Sequence, residues 1–436
     1  MRTLQLRYMI RSSFTFLFIA LILISVGCTK MADKPSADSK TNTDTASAIR
    51  ISAGGIDASE PAIAADAVGN VFVVYVEHSG KAADVFVQKL DAAGKPAGEK
   101  VRVNPAAGEA KAWKGDPPTI AIAKDNTIYI GWTRKLADEK AKGNDLVLSA
   151  SRDGGRTFGD PAKVNDDTKP ASHGMHSLAV TEYGWIYVAW LDERNIAVQT
   201  HDMEKMGAAM AHHEDTEPNS EVFYSYSTDG GKTFRKNAKI ASDVCPCCKT
   251  TLLIADKGTI YAAWRQVLKG DHRHIAVARS TAMSTGGDTV FSEGVIVSDD
   301  NWQINACPVS GAALSANGNT LDVVWYTAGA AGQAGMYFAR SADGGKTFGP
   351  RLLVSNEATS GTPVLLEQGS KAVAVFADVS GGLLTAKWEG DPATKISQSK
   401  IPDANLPASV ISNGKVITAF VRNSDGKNAV WITISD

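Results

Sequence analysis

Apolar and polar positions alternate along this chain in a two-strand phrase that recurs seven times. Each phrase has a Pro or small-residue start, a short apolar strand, a turn, and an apolar run that ends in an aromatic. It reads SEPAIAADAVGNVFVVYVEH from Ser59, DPPTIAIAKDNTIYIGWTR from Asp116, MHSLAVTEYGWIYVAWLD from Met175 and CKTTLLIADKGTIYAAWRQ from Cys248. It continues as CPVSGAALSANGNTLDVVWYT from Cys307, GTPVLLEQGSKAVAVFAD from Gly361 and LPASVISNGKVITAFVRN from Leu406. The closing aromatics are Tyr75, Trp132, Trp190, Trp264, Trp325, Phe376 and Phe420, separated by 57, 58, 74, 61, 51 and 44 residues. Period-two alternation predicts two strands per phrase.

A third strand follows each phrase (DVFVQKL, DLVLSASR, EVFYSYS, HIAVARS, GMYFARS, LLTAKW, AVWITIS), and a short fourth follows the first six. Four strands per repeat at this period predict an all-β, seven-bladed β-propeller. The seventh repeat has no fourth strand before Asp436, whereas IRIS at Ile49 precedes the first phrase and matches the fourth strands. The N-terminal strand is therefore expected to complete the last blade, closing the ring and hiding both edges.

Three of the third-to-fourth turns carry one signature: SRDGGRTF from Ser151, STDGGKTF from Ser227 and SADGGKTF from Ser341, with a degenerate STGGDTVF from Ser284. Asp153, Asp229 and Asp343 are expected to hold turn amides, and the paired glycines to supply the positive φ. Phe158, Phe234 and Phe348 should tuck between sheets. The motif reads as structural.

Residues 1–28 read as a leader rather than fold. Arg2, Arg7 and Arg11 precede an apolar run from Phe14 to Val26, which ends Ser25-Val26-Gly27-Cys28. That ending resembles a bacterial lipoprotein signal, with Cys28 as the lipidated first residue. Thr29 after it resembles the outer-membrane sorting pattern. Residues 29–47 hold no aromatic and nothing to pack a core, as expected of a flexible tether. The propeller domain is then 48–436, in the bacterial envelope, anchored through lipid and facing the periplasm or the surface. Net charge is −2, so nucleic acid is not an expected partner.

In a four-stranded blade, the second-to-third loops and the blade-to-blade connections share one side. All eight His and the four Cys of the domain fall in or beside those segments. His173, Met175 and His176 precede or open the third phrase. The blade-3 loop carries His201, Met203, Met206, Met210, His212 and His213, and His272 and His274 lie in the blade-4 loop. Cys245, Cys247 and Cys248 stand before the fourth phrase, and Cys307 before the fifth. Thiolate, thioether and imidazole together suit Cu(I) and in part Zn(II), so copper is the expected cofactor. Two other readings stay open: disulfides, such as Cys245 or Cys248 with Cys307, and buried inert thiols.

The three Ser-x-Asp-x-Gly-x-Thr-Phe turns resemble the Asp-boxes of the sialidase-like (BNR-repeat) superfamily. That resemblance implies a central pocket in which three arginines clamp a carboxylate, beside a Tyr nucleophile and an Asp acid/base. On this chain it points to Arg134, Arg265 and Arg422, with Tyr326 and Asp192, and to an acidic glycan as ligand. It also implies the six-bladed sialidase ring as the alternative architecture, and this chain lacks the Phe/Tyr-Arg-Ile-Pro motif. The CPCCKT, NWQINACP and VVWYT segments resemble an exported, uncharacterised bacterial subgroup that brings no activity with it. Three functions are thus expected in order: a soft-metal binder of the envelope with a protein partner, a sialidase-like hydrolase, and a protein-binding scaffold.

Overall fold

The computed structural model describes residues 42–43, 48–138, 140–196, 219–255, 258–280, 289–304, 306–390 and 396–436. The chain divides into Met1–Ser39, which lies outside those residues together with Cys28, and a compact body, Lys40–Asp436. The described residues form β-strands and no α-helix. Their alternating side chains leave each strand with two apolar faces to cover, and stacking sheets face to face covers both.

The described strands form six sheets, one running through two blades by the Val244–Gln266 bridge and one extended by Asn42–Thr43, and within them they trace seven four-stranded antiparallel blades. Blade 1 runs Asp57–Ala65, Val71–Ser79, Ala82–Lys89 and Val101–Arg102, and blade 2 runs Thr119–Ile122, Ile128–Lys135, Asn144–Ser151 and Ala162–Lys163. Blade 3 is His173–Val180, Ile186–Asp192, Ser220–Ser227 and Ala238–Val244, and blade 4 is Thr251–Ile254, Ile260–Leu268, His272–Arg279 and Val295–Ile296. Blade 5 is Ala312–Asn317, Thr320–Thr327, Gly335–Ser341 and Leu352–Ser355, and blade 6 is Thr359–Gln368, Lys371–Asp378, Gly382–Glu389 and Ser397–Pro402. Blade 7 consists of Asn405–Ser412, Lys415–Ser424 and Lys427–Ser435, and its fourth strand is Ile49–Arg50, paired as Ile49 with Ile432 and Arg50 with Trp431. The N-terminal strand thus completes the last blade. Asn42–Thr43 adds a short parallel strand beside Ser399–Lys400.

The first strands of consecutive blades touch round a closed circuit, the seventh meeting the first. Together they line a central cavity of about 340 Å³. Eight apolar clusters fill the spaces between neighbouring blades, two of them between blades 3 and 4. The seven closing aromatics are all buried there, at 1% exposure or less. Truncating one to Ala would cost about 3–5 kcal/mol.

The three signature turns are built alike. Asp153 Oδ1 accepts from the amides of Arg156 and Thr157 (2.9 and 3.0 Å), and Oδ2 accepts from Thr157 Oγ1 at 2.6 Å. Asp229 and Asp343 repeat these contacts. The threonine hydroxyl hydrogen bonds come first in holding all three carboxyls well below the usual carboxylate range. Gly231 has φ +81° and lies so close to Leu148 that an added Cβ would stand 2.8 Å from Cδ2. Only glycine fits a left-handed turn pressed on the preceding blade. Phe158, Phe234 and Phe348 pack into the clusters between blades. The degenerate turn from Ser284 lies largely outside the described residues.

Candidate metal centre

Blade 3 ends at Val244, which bridges to Gln266 in blade 4, and the Cys245 amide continues the ladder by donating to Arg265 O at 2.9 Å. The two sheets are thereby joined where the Cys245-Pro246-Cys247-Cys248 turn begins. Thr250 anchors its far end: its amide and hydroxyl both donate to Met175 O (3.0 and 2.8 Å). Met175 presents that carbonyl from a β-bulge at φ +52°, a strained conformation for a non-glycine residue. The turn is clamped at both ends.

The clamp gathers thiols. Cys245 Sγ lies 3.1 Å from Cys248 Sγ and 3.7 Å from Cys247 Sγ, and the three sulfurs lie within 4.8 Å of one another. All three are buried, with Met175, Leu191, Val222, Trp264 and Val267 around them. Cys307, on the next blade-to-blade connection, is exposed and reaches Cys245 by a thiol contact. Cys245, Cys247 and Cys248 carry thiols rather than disulfides. Hydrogen bonds from the Cys247, Cys248 and Cys307 thiols draw the Cys245 pKa far down. Donation to Cys245 pushes Cys247 up, and burial pushes Cys248 up.

Two buried guanidinium groups lie against this cluster. Arg273 donates from Nη1 to Cys245 Sγ at 3.1 Å. Burial alone would lower the Arg273 pKa, and the Cys245 charge more than offsets it. Arg265 is fully buried and donates from Nε to Ser310 O and from Nη2 to Tyr326 O, both at 3.0 Å, while its guanidinium lies 4.8 Å over the Trp302 ring. Its charge acts on Cys248. Among the described residues neither guanidinium has a carboxylate within 4.0 Å. Arg265 Nη1 and Arg273 Nε are buried without a hydrogen-bond partner. Buried cations need buried anions, and the thiols are the groups placed to supply them.

The two described imidazole ligands of the prediction, His173 and His176, are turned to other partners than the sulfurs. His176 is buried with Nδ1 2.9 Å from Asp116 Oδ1 and Nε2 3.2 Å from Gly131 O. His173 places Nδ1 2.6 Å from Asn144 O and Nε2 3.1 Å from Asp167 Oδ1. Both rings stitch blade 2 to blade 3. Met175 does pack with the thiols. His201, Met203, Met206, Met210, His212 and His213 lie outside the described residues.

The expected arginine clamp is dispersed. Arg134 faces Asp145 at 3.6 Å in blade 2, and Arg422 donates to Pro402 O and lies over Phe420 and Trp431 in blade 7. Arg265 is consumed in blade 4 as described. None of the three lines the central cavity. Tyr326 packs edge-on against Trp302 at 5.7 Å, and burial holds its phenol above the usual range, opposite to what a nucleophile needs. Asp192 is buried and accepts from Arg194 Nε (3.0 Å), Arg194 Nη2 (2.8 Å) and Trp190 Nε1 (2.7 Å). It is a packing clamp here.

No family model matches the sequence, and no curated protein matches it. Among solved structures, the polysaccharide lyase Uly1 is similar over 87% of this chain and 90% of its own, at 11% identity and TM-score 0.52. A protein of unknown function from Dyadobacter fermentans is similar over 89% and 97%, at 14% identity and TM-score 0.48. The NanB sialidase from Streptococcus pneumoniae is similar over 85% and 84%, at 9% identity and TM-score 0.46. The fold is a β-propeller. At these identities the likeness concerns the fold alone.

Proposed function

We propose that this chain binds a soft metal, Cu(I) first, on Cys245, Cys247 and Cys248, with Cys307 as the outer ligand. The observation that carries this reading is the pairing of three clustered, buried thiols with two buried guanidiniums that, among the described residues, have no carboxylate within 4.0 Å. A monovalent cation on three thiolates carries a net charge of about −2, one for each arginine. Without an ion, the lowered Cys245 thiol answers at most one of the two cations and the second has no buried anion. The apolar shell of Met175, Leu191, Val222 and Trp264 would keep water from a bound ion and favour the soft, low-coordinate state.

The setting proposed is the bacterial envelope, with the propeller tethered through a lipid on Cys28. There it would take up copper or pass it to a protein partner by exchange of thiolate ligands. The test is a Cu(I) titration of the reduced protein against a chromogenic chelator. About one equivalent should be held, and Cys247→Ser should lose it. Failure of the wild-type protein to compete with a weak chelator would sink the reading.

A further inference from the structure

The four thiols differ in two ways that metal binding does not require. Cys245 touches the other three, at 3.1 Å to Cys248 and 3.7 Å to Cys247 and by the thiol contact with Cys307. Cys307 alone is exposed, whereas the rest of the cluster is buried. Cys245 and Cys248 stand in C-x-x-C spacing, and a disulfide of about 2.05 Å needs their sulfurs to close by roughly 1 Å. Arg273 Nη1, 3.1 Å from Cys245 Sγ, is placed to stabilise that sulfur as nucleophile and as leaving group.

From this geometry we infer that the cluster is a thiol–disulfide relay in which Cys307 exchanges with a low-molecular-weight disulfide outside and Cys245 carries the oxidation inward to Cys248. The Cys307 thiolate attacks one sulfur of the external disulfide, forming a mixed disulfide and expelling one thiolate. Cys245 then attacks Cys307 Sγ, forming Cys245–Cys307 and expelling the second external thiolate. Cys248, losing its proton, attacks Cys245 Sγ, so that Cys245–Cys248 forms and Cys307 returns as a thiol carrying that proton. Two electrons have passed from Cys245 and Cys248 to the external disulfide, which leaves as two thiols. The relay uses the proposed metal ligands yet does not depend on a bound metal. Its oxidised form would lack two of the three buried donors, so oxidation would also release the ion.

The experiment is done on the full, reduced, metal-free chain with one equivalent of oxidised glutathione, followed by acid quench, alkylation and disulfide mapping with fragmentation. The wild-type protein should give Cys245–Cys248 with Cys307 alkylated. Cys248→Ser should stop at Cys245–Cys307, and Cys245→Ser at a Cys307–glutathione adduct. Cys307→Ala should slow Cys245–Cys248 formation at least tenfold. A wild-type map that ends at the Cys307 adduct, with Cys245 and Cys248 alkylated, would overturn the relay. So would undiminished oxidation of Cys307→Ala. Because the wild-type map needs no variant to fold and no metal, its outcome is independent of the Cu(I) titration.

Discussion

Asp192 separates a structural reading of its buried carboxylate from a catalytic one, and Asp192→Asn measures which holds. The carboxylate is fully buried, with Arg194 N and Nε on Oδ1 and Arg194 Nη2 and Trp190 Nε1 on Oδ2. An amide keeps one acceptor and turns a donor toward the other pair of donors. Two hydrogen bonds are lost, one of them charge-assisted on both sides, while Arg194 keeps Asp166 at 2.5 Å and Asn237 at 2.8 Å. Hydrogen bonds to charged groups contribute about 1.5–3 kcal/mol each, so the loss of two comes to roughly 3–6 kcal/mol. Unfolding entropy near 2.1 cal/mol/K per residue over about 390 residues turns this into a Tm drop of roughly 4–7 °C. Denaturant titration and calorimetry of wild type and variant supply the comparison. An open acid/base would behave otherwise, since removing a catalytic charge is commonly neutral or stabilising. A change below about 0.5 kcal/mol would refute the clamp and return Asp192 to the candidate acids.

Other expectations follow from the same contacts. Asp229→Ala removes two amide acceptors and the Thr233 hydroxyl contact from an exposed turn, and should cost about 1–2 kcal/mol in denaturant titration. Because the three turn carboxyls are held below their ordinary range, their contribution is present above about pH 4, the unfolded value, and is lost as pH falls through the lower folded values. Acid unfolding followed by circular dichroism should therefore shift to higher pH in a variant with all three Asp replaced by Ala. His78, 2.6 Å from the buried Glu60 carboxylate, is raised chiefly by that hydrogen bond. Its stabilisation is complete below about pH 6.5 and fades as pH rises through the higher folded value, so stability of His78→Gln should lack this alkaline decline. Gly231→Ala, at φ +81° against Leu148, should lower stability by about 1–3 kcal/mol in the same assay.

The repeat, the Asp-box turns and the N-terminal strand in the last blade were all legible in the sequence, because each rests on local alternation or a fixed turn chemistry. The thiol cluster was partly legible, since Cys245, Cys247 and Cys248 are neighbours in the chain. The roles of the histidines were not. His176 finds Asp116, sixty residues away, and His173 finds Asp167 and Asn144, pairings set by how blade 2 packs on blade 3. Arg265 was legible as special and misassigned in kind: it follows a closing aromatic, where five of the other blades hold Val76, Thr133, Leu191, Ala377 and Val421. A charge at an apolar register position signals a buried counter-ion, and the thiols one blade-connection away were the available anion. Arg273 lies across from Val267 on the paired strand and joins it there.

The most direct test of the account is X-ray absorption on the reduced protein loaded with one equivalent of Cu(I). The thiol site predicts a first shell of sulfur alone, about three per copper, unchanged in His173→Ala and His176→Ala and lost in Cys245→Ser. A shell containing imidazole nitrogen, or copper retained after Cys245→Ser, would contradict it.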